Sequence, residues 1–132
     1  MTRVKFRGKT FTGSGEASSF TNLHWFKEFV RNKFGFDVYP GTLNLRAAES
    51  SDISILESMH ASRYAYILES PDPHFCSAKL FPAQLGENTL GAVVIPEIKR
   101  YPKDVCEIVS NVNLRAQLSI ADGDLVKATI EV

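Results

Sequence analysis

Thr42 and Asn44, a hydroxyl and an amide two residues apart, have the types and spacing to do chemistry together. They stand in Tyr39-Pro40-Gly41-Thr42-Leu43-Asn44-Leu45. Pro40 fixes φ for a tight turn, and Gly41 can take the positive φ that the next turn position often needs. Strand alternation then sends Thr42 and Asn44 to one face and Leu43 and Leu45 to the other, so two leucines can anchor the strand while two oxygens project side by side. A hydroxyl and an amide carbonyl are hard, uncharged ligands, suited to Mg²⁺ where phosphates bring most of the negative charge. The plain alternative is the polar face of an ordinary half-buried strand, and periodicity alone favours it.

Other groups are less pointed. Gly13-Ser14-Gly15-Glu16 is a glycine-rich loop whose backbone N–H groups can cradle phosphates, but Ser18 stands where a dinucleotide fingerprint needs its third glycine, and a surface turn explains the loop equally. Gly8-Lys9-Thr10 imitates the end of a P-loop, yet Arg3 occupies the place of its first glycine and no helix signal follows. His24, His60 and His74 lack metal-ligand spacing, and none is assigned a role. Glu107 sits inside Val105-Cys106-Glu107-Ile108-Val109, and alternation puts it opposite Cys106 and Ile108, which reads as an exposed strand carboxylate. Arg115 reads as a solvated cation or as a phosphate partner.

The elements that must position these groups are mostly short strands. Arg3 to Thr12, Arg63 to Glu69, Phe75 to Phe81, Leu90 to Ile95, Asp104 to Ser110 and Leu125 to Val132 read as strands in addition to the one after Gly41. Asn22 to Phe34 reads as an amphipathic helix through Leu23, Phe26, Val30 and Phe34, with Gly35 as its C-terminal cap. Val112 to Leu118 can make two helical turns, and Ser50 to Met59 stays ambiguous. Many short strands with one clear helix predict a mainly β (α+β) protein, a small β-barrel with one main helix, as a single domain over residues 1–132.

The chain has 132 residues, 44% hydrophobic and 23% charged, enough for one core. Fifteen basic residues balance fifteen acidic ones, so no global field attracts nucleic acid or anionic lipid, and neither is an expected partner. No apolar run approaches the ~20 residues of a membrane span, and the N-terminus lacks a signal-peptide apolar stretch. Cys76 and Cys106 have no CxxC partner and read as small buried thiols. The expected location is the cytoplasm.

In order along nearly the whole chain, the segments resemble the archaeal-type CTP-dependent riboflavin kinases. Gly13-Ser14-Gly15-Glu16 is similar to that family's Gly-x-Gly-Glu-Gly, and Phe34-Gly35-Phe36-Asp37-Val38-Tyr39-Pro40-Gly41-Thr42-Leu43-Asn44-Leu45 to its Leu-Gly-Phe-x-Pro-Tyr-Pro-Gly-Thr-Leu-Asn. Ile95-Pro96-Glu97, Tyr101, Val105 to Val109, Val112 to Arg115 and Asp122-Gly123-Asp124-Leu125-Val126 are similar to its closing elements. The resemblance implies a six-stranded cradle-loop barrel that transfers the γ-phosphate of CTP to the 5′-hydroxyl of riboflavin, giving FMN and CDP. It implies Mg²⁺ on Thr42 and Asn44, and nucleotide contacts from Gly13, Ser14, Gly15, Glu16, Ala17 and Ser18 and from Val112, Asn113, Leu114 and Arg115. It places the flavin against Glu107 and against position 99, where Lys99 replaces the family's threonine. Ala17 replaces the last loop glycine, which narrows the backbone choices there. Glu107 and Glu16 are the candidates for a general base, and a monomer is the expected state. A non-catalytic nucleotide- or flavin-binding homologue is the alternative, and a DNA-binding barrel is a more distant one.

Overall fold

Seven antiparallel strands form one sheet in the computed structural model, which describes residues 2–13 and 17–132. They are β1 (Arg3–Phe11), β2 (Leu43–Ala47), β3 (Tyr66–Leu68), β4 (Ala78–Leu85), β5 (Thr89–Pro96), β6 (Val105–Ser110) and β7 (Leu125–Glu131). Six of them close a ring in the order β4, β5, β6, β2, β1, β7, with β7 returning to β4 through Ala83 to Leu85. The barrel is therefore six-stranded, as expected. β3 is an addition that pairs with the first residues of β4, along the edge that β7 uses further on.

Alternation explains the interior. Phe6 on β1, Leu43 and Leu45 on β2, and Val126, Ala128 and Ile130 on β7 are buried at every second position and meet Phe81, Val93, Ile95, Cys106 and Ile108 in one core. Cys106 lies at the centre of this packing, and desolvation pushes its thiol pKa far up, as a structural cysteine requires.

β5 and β6 do not alternate, because both of their faces are covered. Outside them lies a second layer of Phe20, Phe26, Val30, Phe36, Val38 and Leu80 packed on Ala92, Val94 and Val109. This layer is carried by a 3₁₀ turn (Ser18–Asn22), α1 (His24–Phe34) and the segment after it, with Leu80 added from β4. Gly35 ends α1 in the left-handed conformation at φ 79°, its N–H bonded to the carbonyls of Val30 and Arg31. Burying side chains such as Phe26 and Val30 stabilises the layer by roughly 1.5–3 kcal/mol each. Phe20 stacks on Phe26 with ring centroids 5.6 Å apart and meets Trp25 edge-on at 6.0 Å, which fixes the 3₁₀ turn over the sheet.

The ambiguous segment folds as a second helix, α2 (Ser50–Ala61). Its buried stripe is Asp52, Leu56 and Met59. Leu56 and Met59 enter the barrel core, while Asp52 accepts hydrogen bonds from the backbone N–H of Arg7 at 3.0 Å and of Glu49 at 3.2 Å. A charged residue in the buried stripe hides the helical period from a hydrophobic pattern. The last helix is the single turn α3 (Leu114–Gln117), capped by the Asn113 side chain, which accepts from the Ala116 N–H at 3.2 Å.

Candidate active site

The Pro-Gly turn forms as its residues dictate. Gly41 has φ 102°, and its N–H donates to the Thr21 hydroxyl at 3.0 Å, tying the turn to the 3₁₀ segment. The Tyr39 N–H donates to the Ser110 carbonyl at 2.8 Å, tying it to the end of β6. Leu43 and Leu45 point into the core, so Thr42 and Asn44 share the outer face.

Glu107 lies directly across from Asn44 in the β2–β6 register. It is not exposed: the residue is 2% accessible. The local pattern misplaces it because the face opposite Cys106 lies beneath the layer built by α1 and the 3₁₀ turn. A buried carboxylate needs donors, and three supply them. The Ala17 N–H donates to both oxygens at 3.1 and 3.0 Å, the Thr42 hydroxyl to Oε1 at 2.9 Å, and the buried Tyr101 hydroxyl to Oε2 at 3.0 Å. Ala17 sits at φ −80°, ψ −19°, ordinary right-handed backbone, so alanine in place of glycine carries no strain at this position.

Two hollows are linked through this carboxylate, which lines one and accepts a hydrogen bond from Thr42 of the other. A small one of about 100 Å³ is lined by Tyr39, Pro40, Gly41, Thr42 and the run from Val112 to Arg115. A larger one of about 610 Å³ is lined by Gly13, Asn44, Arg46, Arg100, Tyr101 and Glu107, among others. Gly13 belongs here for a steric reason: a Cβ added to it would lie 2.8 Å from Oδ1 of Asn44. Arg115 is anchored rather than solvated. It donates to the Phe11 carbonyl at 3.2 Å and to Asp122 at 2.6 Å, and Asp122 also accepts from the Thr12 hydroxyl at 2.8 Å. Those hydrogen bonds from Arg115 and Thr12 lower the pKa of Asp122.

Residues 10–130 match the family model CTP-dep_RFKase, described as a domain of unknown function, DUF120. The chain belongs to this riboflavin kinase family. It is 35% identical to a riboflavin kinase of Aeropyrum pernix, with 92% of each chain covered. It is 34% identical to one of Saccharolobus solfataricus, covering 98% of this chain and 74% of the relative. It is 33% identical to one of Archaeoglobus fulgidus, covering 96% of this chain but only 54% of that longer protein.

Most of the residues that the family resemblance brings forward converge on the two hollows. Thr42 and Val112 to Arg115 line one; Gly13, Asn44 and Glu107 line the other; Ala17 closes on Glu107, and the Ser18 carbonyl holds the Thr21 hydroxyl at 2.7 Å. Ser14, Gly15 and Glu16 lie outside the described residues. Lys99 stands apart. It is exposed and lines a separate hollow with His60, Lys79, Glu97 and Lys103, while its neighbour Arg100 lines the larger hollow and Ile98 lines both. Sequence reasoning assigned no role to Tyr101, Arg46 and Arg100. Continuing the Thr42–Asn44 alternation by one step would have found Arg46.

Proposed function

We propose that the protein is a CTP-dependent riboflavin kinase, giving FMN and CDP. The observation that supports it is the Thr42–Glu107 hydrogen bond that links two hollows, one reaching the Val112–Arg115 segment and the other, lined by Asn44 and Glu107, large enough for a flavin within the roughly 300–1,000 Å³ of small-molecule sites. CTP would occupy the Val112–Arg115 side and riboflavin the side of Asn44 and Tyr101. The 5′-oxygen of riboflavin attacks the γ-phosphorus, the bond from that phosphorus to the β,γ-bridging oxygen breaks, CDP leaves, and the hydroxyl proton passes to a base or to water. Little covalent work falls to the protein in such a transfer, so alignment and charge neutralisation carry the rate.

Thr42 and Asn44 would hold Mg²⁺. The donor set fits a cation that arrives with phosphates: two neutral oxygens, and among the described residues no cluster of three or more His, Cys, Asp or Glu side chains placed to cage a metal. By donating its proton to Glu107, the Thr42 hydroxyl keeps its lone pairs for a cation. Bound Mg²⁺ supplies neutralisation of the phosphate oxygens. Glu107 orients Thr42 and gathers the Ala17 N–H and the Tyr101 hydroxyl around the junction.

The test is a phosphotransfer assay with riboflavin against each of the four nucleoside triphosphates, with and without Mg²⁺. FMN formed from CTP in preference to ATP, and only with the metal, is the expected result. No FMN from any triphosphate rejects the kinase reading, and preference for ATP rejects the CTP assignment. The position of Lys99 outside the larger hollow favours a second reading, a non-catalytic flavin or nucleotide binder. Binding in a calorimeter without turnover would select it.

A further inference from the structure

Thr42, Asn44 and Arg46 succeed one another at every second residue, so Arg46 continues the row of polar groups that starts at the Pro-Gly turn. Arg46 and Asn44 line the same hollow. The Arg46 guanidinium carbon lies 4.6 Å from the centroid of the Phe11 ring, which supports the planar group from one side. Its Nε is 3.6 Å from Asp104 Oδ2, a pair between half-exposed side chains that solvent screens. Its two terminal nitrogens have no hydrogen-bond partner among the described residues. Among the described residues the one carboxylate that lines the hollow, Glu107, already receives three donors. Arg100 lines the same hollow.

We propose that Arg46 binds the phosphate of the phosphorylated flavin, taking in this chain the part that Lys99, which faces a different hollow, does not take. The inference rests on the kinase reading and adds a residue to it. A guanidinium presents a planar fork that matches two phosphate oxygens, and its charge is permanent. On the Asn44 side of the junction, that fork meets the phosphoryl group as it arrives on the flavin oxygen and holds it once the transfer is complete. Riboflavin, with no phosphate, gains nothing from it.

Flavin fluorescence titrations of the wild-type protein, Arg46→Ala and Arg46→Lys, each with riboflavin and with FMN, test the assignment without relying on turnover. Loss of a charge-assisted phosphate contact should weaken FMN binding by about tenfold in Arg46→Ala and leave riboflavin affinity within about twofold. Arg46→Lys should fall between, since it keeps the charge and loses the fork, and the FMN affinities of the wild type and Arg46→Lys should drop more steeply with salt than that of Arg46→Ala. An unchanged FMN-to-riboflavin affinity ratio in Arg46→Ala, or an equal loss of both affinities, overturns the role of Arg46 while leaving the kinase reading in place. A wild-type protein that binds neither flavin overturns the kinase reading and this inference with it.

Discussion

The Thr42 hydroxyl donates its only proton to Glu107 across 2.9 Å, so a residue of the proposed metal pair is oriented by a carboxylate buried behind it. That carboxylate also receives the Ala17 N–H and the Tyr101 hydroxyl, which brings the loop after β1, the Pro-Gly turn and the β5–β6 connection to one point. Replacing it with the near-isosteric amide sets an NH₂ group against at least one of those donors. Glu107→Gln should therefore destabilise the fold by about 1–3 kcal/mol, the cost of a buried donor left without an acceptor. A thermal melt and a Mg²⁺ titration of FMN formation check this. The melt should move down by several degrees, and half-saturation should move to higher Mg²⁺. A melt and a Mg²⁺ requirement both equal to wild type would show that the carboxylate organises nothing.

Thr42 and Asn44 are half-buried, with their leucine neighbours carrying the packing, so their side chains can be cut back without opening the core. Thr42→Ala combined with Asn44→Ala should abolish turnover while the melt stays within a few degrees of wild type. Thr42→Ser keeps the hydroxyl that donates to Glu107 and should retain most of the rate. Near-normal turnover in the double variant would remove the metal from these two residues.

Gly13 tests the same pair from the opposite side. An alanine Cβ there would sit 2.8 Å from Asn44 Oδ1 and 2.9 Å from Asn44 Cγ, well inside contact distance. The amide must swing away or the loop must move. Gly13→Ala should lower kcat for FMN formation by roughly ten- to a hundredfold, the scale on which small displacements of aligned groups act. Combined with Asn44→Ala, it should add little further loss, because the group it displaces is already gone. Two losses that multiply would place the effect of Gly13 elsewhere.

The parts of this site legible in the sequence are those set by short-range rules. The Pro-Gly turn, the inward leucines and the outward Thr42 and Asn44 follow from two residues of turn chemistry and a period of two. Gly35 marks the end of α1 because only its positive φ closes the helix there. What escaped was set by layers and by register. Nothing within Val105 to Val109 tells that the 3₁₀ turn and α1 cover the outer face, so Glu107 reads as exposed when it is buried. Asp52 in the buried stripe of α2 concealed a twelve-residue helix. Lys99 and Arg100 are adjacent in sequence yet line different hollows, a distinction that depends on the path of the β5–β6 connection.

His60 lies at the end of α2 with its imidazole against Tyr101, ring centroids 6.4 Å apart. The Lys79 ammonium donates to its carbonyl at 2.5 Å, and the Lys103 ammonium lies 3.3 Å from Nδ1. Glu97 and Lys99 line the same hollow. Desolvation first, and then the charges of Lys103 and Lys79, lower the His60 pKa below its ordinary value of 6.5. As pH falls through about 6.5 the unfolded chain takes up a proton at this histidine before the folded one does. The stability His60 contributes is thus complete above that pH and is lost as the pH falls toward the lowered folded value. Melting temperatures measured from pH 8 to pH 5.5 should fall more in the wild type than in His60→Gln, which cannot titrate. Parallel pH profiles for the two proteins would show that His60 is as easily protonated in the fold as in the open chain.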